Sequence, residues 1–194
     1  MSATRRKRAG EEATERNVRD LYPTPHWAIR AVFRRLAIDS DDEVIDPCCG
    51  DGRIMAVARE YGAASWGWDI APATDFARFD SLGETHWGLA RGPGESERQQ
   101  AIITNPPFSL ALEFVERALF ELPGGPIAML LPVPFLASET RFRFNTEHPC
   151  HVMVLPKRPS FTPDGKTDAV TYAWLVWNYG TKGTYEVLNV WGDT

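Results

Sequence analysis

The chain is poor in several features that would each have pointed to a function. It holds three cysteines in 194 residues, Cys48, Cys49 and Cys150, and an odd count gives no disulfide framework. Cys48 and Cys49 are adjacent, which disfavours a bond between them, and no cysteine–histidine spacing resembles a zinc site. No run approaches the ~18 apolar residues that a membrane span needs. The basic N-terminus has no apolar stretch behind it, so a signal peptide is not expected and the chain reads as cytoplasmic, with no membrane partner. Positive charge is also short: the formal net charge is −5, which excludes coating nucleic acid through bulk charge but not through a local basic surface. Two phosphate-binding fingerprints, G-x-G-x-x-G and G-x-x-x-x-G-K-[ST], are missing.

What is present is ordinary globular material, 43% hydrophobic and 24% charged, enough for one core. Residues 1–19 carry the run Arg5-Arg6-Lys7-Arg8 and mixed charge, and are expected to be a flexible tail, either merely solvated or an arm that touches phosphates. Residues 20–194 are expected to form a single domain. Helical spacing over 26–38 predicts a first helix, with Pro25 at its start. A buried strand over 43–47 is followed by a helix over 53–61 that Gly62 ends, and then by a strand over 64–70. Residues 71–99 are turn-rich with weak periodicity. A strand over 101–104 leads to an amphipathic helix over 109–122, which Ser109 can cap. Further strands are predicted over 126–131, 152–155, 170–177 and 184–190, with a weakly helical stretch over 134–147. Alternation of strand and helix argues for an α/β fold with a mostly parallel sheet and helices on both faces. The last two strands have no helical pattern between them and suggest an antiparallel hairpin at one edge.

Two turns carry the chemistry. The first, Asp46-Pro47-Cys48-Cys49-Gly50-Asp51-Gly52, lies between a strand and a helix, where open α/β sheets bind ligands. Gly50 and Gly52 allow positive φ and close approach of a ligand. The carboxylates of Asp46 and Asp51 suit an ammonium or a hydroxyl-bearing ligand and count against a pyrophosphate. Cys48 and Cys49 are expected to pack rather than react. Asp69, at the end of the second strand and about 20 residues past the glycine turn, stands where a ribose-binding acid belongs.

The second turn is Asn105-Pro106-Pro107-Phe108. Its prolines end the strand abruptly and fix the backbone. An amino group on a conjugated ring is a poor nucleophile, because its lone pair is delocalised. Two fixed acceptors, the Asn105 side-chain oxygen and the Pro106 carbonyl, can hold its two hydrogens and favour a pyramidal nitrogen. Phe108 offers a face on which a flat ring can stack.

Together these turns resemble the class I S-adenosylmethionine-dependent amino-methyltransferases, especially the N6-adenine DNA methyltransferases of bacteria and phages. The resemblance covers about residues 20–180. It implies a Rossmann-like class I methyltransferase fold and S-adenosyl-L-methionine as methyl donor. The first turn would hold the donor's methionine part and Asp69 its ribose. Tyr22 and Thr24, in Leu21-Tyr22-Pro23-Thr24-Pro25, would also contact the donor. Asp80 would meet the donor's adenine, with Asp75 as the alternative. Asn105, Pro106, Pro107 and Phe108 would form the catalytic turn. Phe161 would stack on the target base opposite Phe108. Arg158 and Lys166 flank Phe161 and, with Arg141, Arg143 and Lys157, are candidate nucleic-acid contacts. Trp174 and Trp177 are expected in the core. The resemblance makes DNA the favoured partner, with RNA open, and requires the target base to be flipped or single-stranded. Other readings are methylation of RNA adenine, of cytosine N4 or of a protein glutamine amide, and a non-catalytic relative that binds nucleic acid or protein. No insertion is large enough for a separate target-recognition domain.

Overall fold

Apolar side chains alternate between the two faces of the central strands, and this alternation sets the architecture. In the strand Ile127–Pro132, Ala128 and Leu130 face one layer, while Ile127, Met129 and Leu131 face the other. The computed structural model describes residues 22–83, 85–89, 98–161, 165–167 and 169–192. The basic run Arg5–Arg8 lies outside them.

The elements, in chain order, are α1 (His26–Leu36), β1 (Asp42–Asp46), α2 (Arg53–Glu60), β2 (Ala64–Asp69), β3 (Ala77–Arg78), β4 (Gln99–Thr104), α3 (Ala111–Glu121), β5 (Ile127–Pro132), α4 (Phe142–Glu147), β6 (His151–Val154), β7 (Tyr172–Trp177) and β8 (Tyr185–Val187). The strands form one sheet in the order β3-β2-β1-β4-β5-β7-β6-β8. On one face, α1 and α2 bury Ile29, Phe33 and Val57 against Val44, Ile103 and Trp174. On the other, α3 buries Phe114 and Val115 against Ile45, Ile102 and Leu175. Trp174 and Trp177 are core residues, as expected, and the Trp174 indole donates to the Ala28 carbonyl at 3.0 Å.

The antiparallel hairpin is present, but its members are β6 and β7. β7 has β5 on one side and β6 on the other, both antiparallel. With both edges of β7 occupied, β8 pairs in parallel with the free edge of β6 rather than with its sequence neighbour. The weakly helical stretch resolves into two 3-10 turns, Val133–Phe135 and Glu139–Arg141, and the short α4. Pro132 and Pro134 withhold the amides a longer helix would need. Ser109 does not cap α3. The diproline turn continues into a 3-10 turn, Phe108–Leu110, closed by the Leu110 amide on the Pro107 carbonyl, and α3 starts after it from Leu110. No helix among the described residues is long and apolar enough to cross a membrane.

Because β1, β2, β4 and β5 run parallel, their carboxyl ends lie along one rim of the sheet. The strand order reverses between β1 and β4, and a crevice opens at that point.

Candidate functional site

The turn after β1 is tied on every side. Gly50 and Gly52 both have positive φ, 51° and 80°. At Gly52 the positive φ demands glycine, and an added Cβ would also push on the tip of the Phe76 ring. Asp69, at the end of β2, accepts the Gly50 amide at 3.0 Å and the Ala71 amide at 2.8 Å, joining two turns through one carboxylate. Asp46 accepts the Cys48 amide at 3.1 Å and the Thr104 hydroxyl at 2.7 Å, both on Oδ1, linking the ends of β1 and β4. Asp46 is 1% exposed, and this burial pushes its carboxyl up to about 7 against the pull of its two donors. Burial also holds the Cys48 thiol well above its ordinary range and pushes Cys49 up to about 12, so both stay protonated.

The turn after β4 leaves one polar atom unmatched. The Asn105 Nδ2 donates to the Tyr22 carbonyl at 2.8 Å and to the Thr24 hydroxyl oxygen at 3.0 Å. A backbone carbonyl only accepts, so this pair fixes which way the amide faces. The opposite atom, Asn105 Oδ1, is then buried with no hydrogen-bond partner. A buried acceptor left in this state costs about 1–3 kcal/mol, and such atoms concentrate where a ligand is to be met.

A cavity of about 210 Å³ joins the two turns. Its walls include Tyr22, Thr24, Asp46, Pro47, Cys48, Gly50, Asp51, Asp69, Asp80, Asn105 and Pro107. Asp80 lines the cavity and Asp75 does not, which separates the two alternatives by position. Gly52, Pro106, Phe108, Arg158, Phe161 and Lys166 are not among the lining residues. Gly52 instead shapes the turn from behind. Several wall residues escaped sequence reasoning: Ser81 and Leu82 from the irregular stretch before β4, and Leu110 and Phe114 from the start of α3. Their only advance signal was adjacency to Asp80 and to the diproline turn.

The aromatic arrangement differs from the expectation that Phe108 and Phe161 flank an open slot. Phe161 is 7% exposed and meets Phe108 edge-on, with centroids 6.2 Å apart. The Tyr22 ring stacks on Phe108 at 5.4 Å with 12° between planes, and Tyr172 tilts against Phe108 at 5.6 Å. A flat ring between Tyr22 and Phe108 needs about 7 Å between their planes, so those two rings leave no slot. Four aromatic side chains that sequence distance kept apart thus pack as one cluster beside Asn105.

The basic candidates fall in two stretches, one between β5 and β6 and one between β6 and β7. Arg158 and Lys166 are exposed, in the segment after β6. The Ser160 hydroxyl donates to the Lys166 carbonyl at 2.8 Å. The Lys157 ammonium sits 4.4 Å from the Trp27 ring centroid. Arg141 bonds the Phe135 carbonyl at 2.9 Å and lies over that ring, while Arg143 pairs with Glu147.

With this geometry in place, comparison with known proteins is informative at the level of fold. No protein-family model matches the chain, and no curated protein matches it. The chain has the Rossmann-like α/β fold of class I methyltransferases, because solved structures of such enzymes superpose on most of it. The M protein of the type I restriction enzyme EcoKI matches with a TM-score of 0.61 at 18% identity, over 86% of this chain and 47% of that one. The type I restriction-modification methyltransferase subunit from Streptococcus thermophilus matches with 0.59 at 14%, over 83% and 45%. The 23S rRNA methyltransferase ErmE matches with 0.53 at 14%, over 80% and 68%. The chain spans just under half the length of the type I subunits.

Proposed function

We propose that this protein transfers a methyl group from S-adenosyl-L-methionine to an exocyclic amino group, with adenine in DNA as the favoured target. The observation that carries the reading is the unpartnered Asn105 Oδ1, buried at the wall of the cavity. The walls fit the donor. The Asp46 carboxylate and the glycine turn suit its ammonium-bearing end, Asp69 its ribose and Asp80 its adenine, with Tyr22 and Thr24 closing one side. When bound, the donor would supply a methyl group on a cationic sulfur that would retain the electrons of the broken carbon–sulfur bond.

The chain's own residues prepare the acceptor. Asn105 Oδ1 takes one hydrogen of the target amino group, and the Pro106 carbonyl takes the other. Both oxygens are held before the substrate arrives, Asn105 through Tyr22 and Thr24, Pro106 through the rigid diproline backbone. The nitrogen is held pyramidal, its lone pair is freed to form the new carbon–nitrogen bond, and its surplus proton passes to water. The amide oxygen orients the nitrogen without taking that proton. Phe108 backs the Tyr22 ring beside Asn105, and the exposed Arg158 and Lys166 form the approach.

Support for a nucleic-acid target comes from the relatives in fold. Two are subunits of type I restriction systems and one is a ribosomal RNA methyltransferase. RNA adenine is therefore the second reading. Calorimetric titration with S-adenosylmethionine tests the donor site: binding is expected, and Asp69→Ala weakens it strongly. A folded protein that binds no donor overturns the proposal. Tritiated methyl transfer onto DNA, RNA and protein in parallel then assigns the acceptor, and label appearing only on protein removes adenine from consideration.

A further inference from the structure

Glu121, at the end of α3, is fully buried, and nothing in the transfer described above uses it. Its Oε1 accepts the Arg117 Nε at 2.7 Å and lies 3.1 Å from the His86 Nδ1. The two terminal guanidinium nitrogens of Arg117 reach across to the segment before β4, donating to the Gly83 carbonyl at 3.0 Å and the Thr85 carbonyl at 2.5 Å. The guanidinium also stands 5.9 Å from the centroid of the Trp87 ring.

This grip continues to the cavity wall. The Trp87 indole donates to the Ser81 carbonyl at 2.9 Å. The Ser81 hydroxyl donates to the Pro47 carbonyl at 2.5 Å and accepts the Trp68 indole at 2.8 Å. Asp80 accepts the Leu82 amide at 3.0 Å through its side chain and the Gly83 amide through its carbonyl. Asp80, Ser81 and Leu82 are wall residues. The sequence around them has little helical or strand character of its own, so its shape comes from these tertiary bonds. A guanidinium with several donors in a planar fork can hold a carboxylate and two carbonyls at once, which an ammonium cannot match in geometry.

We propose that Arg117, anchored by Glu121, is a positioning residue that fixes residues 80–83 and 85–87 and thereby sets affinity for the purine half of the methyl donor. The proposal rests on the reading of the cavity as the donor site. A segment ordered in advance spares the ligand the entropic cost of ordering it. The effect falls on donor binding and leaves the transfer step alone, because Arg117 touches neither reacting group.

The test uses the full chain with Arg117→Lys and Glu121→Gln. Titrations with S-adenosylmethionine and with 5′-methylthioadenosine, which lacks the amino-acid half, are compared with steady-state kinetics. Arg117→Lys is expected to weaken both ligands about tenfold. The donor KM rises in step, while kcat at saturating donor and the acceptor KM stay within about twofold. Glu121→Gln keeps the shape and an acceptor oxygen and gives a smaller shift of the same kind, which preserves the test if Arg117→Lys fails to fold. Unchanged affinity for 5′-methylthioadenosine in both variants overturns the proposal, as does a fall in kcat at unchanged KM. If the wild-type protein binds neither ligand, the donor reading itself falls and this one with it. That outcome is distinct from wild-type binding that the variants reproduce.

Discussion

The turns after β1 and β4 lie side by side at the rim, yet they are built on opposite principles. Around β1 the polar groups answer one another: Asp46 is bonded to Cys48 and Thr104, and Asp69 to Gly50 and Ala71. Around β4 the amide of Asn105 is oriented just as firmly, but one of its atoms is left unanswered. A saturated turn holds its shape whether or not a ligand is present. An unsaturated one is incomplete until something supplies a hydrogen. On the proposed function, the first would hold the donor and the second would act on the acceptor.

The sharpest way to break this contrast is Asn105→Ala. Removing the unanswered oxygen is expected to lower the rate of methyl transfer by about 10²–10³-fold while donor affinity is largely kept. Equal loss of both would make the two turns one functional unit.

The next largest effect concerns Asp46. Burial raises its folded-state pKa to about 7, above the ordinary value near 3.8, so the protonated form is the one the fold favours. Its contribution to stability is fully present below the ordinary value and is lost as pH rises through about 7, amounting to up to a few kcal/mol. Thermal unfolding of the unliganded protein should show a steeper fall between about pH 5 and 8 for wild type than for Asp46→Asn. Parallel curves would mean that the carboxyl is not strained by its burial.

Gly52→Ala is smaller, destabilising by about 1–3 kcal/mol through its positive φ and the nearby Phe76 ring, as read by denaturant unfolding. Smallest is Cys48→Ala. The thiol lines the cavity but stays protonated, so activity should remain within about threefold and alkylating reagents should act slowly. Rapid inactivation by iodoacetamide that Cys48→Ala abolishes would contradict this.

Local patterns were legible in the sequence because they are enforced locally. Near-continuous apolar runs in β4 and β5 announce strands buried on both faces, and an acid after β2 can be matched to a glycine turn after β1. The orientation of Asn105 was only half legible. Its oxygen was expected to face a ligand, but the partners that turn it, Tyr22 and Thr24, come from 81–83 residues away. Pairings between distant segments carried no signal of their own. β8 reads as the natural partner of β7, and only occupation of both β7 edges sends it to β6. Phe161 reads as a stacking partner for the target base and is instead buried against Tyr22, Phe108 and Tyr172. Arg117 carries no signal of its own in the sequence, because nothing nearby names the carbonyls it holds.

The pinned amide of Asn105 also acts as a filter at the threshold. It offers incoming rings an oxygen, and the Tyr22 carbonyl prevents it from turning over to offer its nitrogen instead. On the proposed function, a base bearing a keto group where adenine bears its amine would set oxygen against the buried Asn105 oxygen. Deaminated or oxo-purine sites would thus be refused on entry, before the question of reactivity arises.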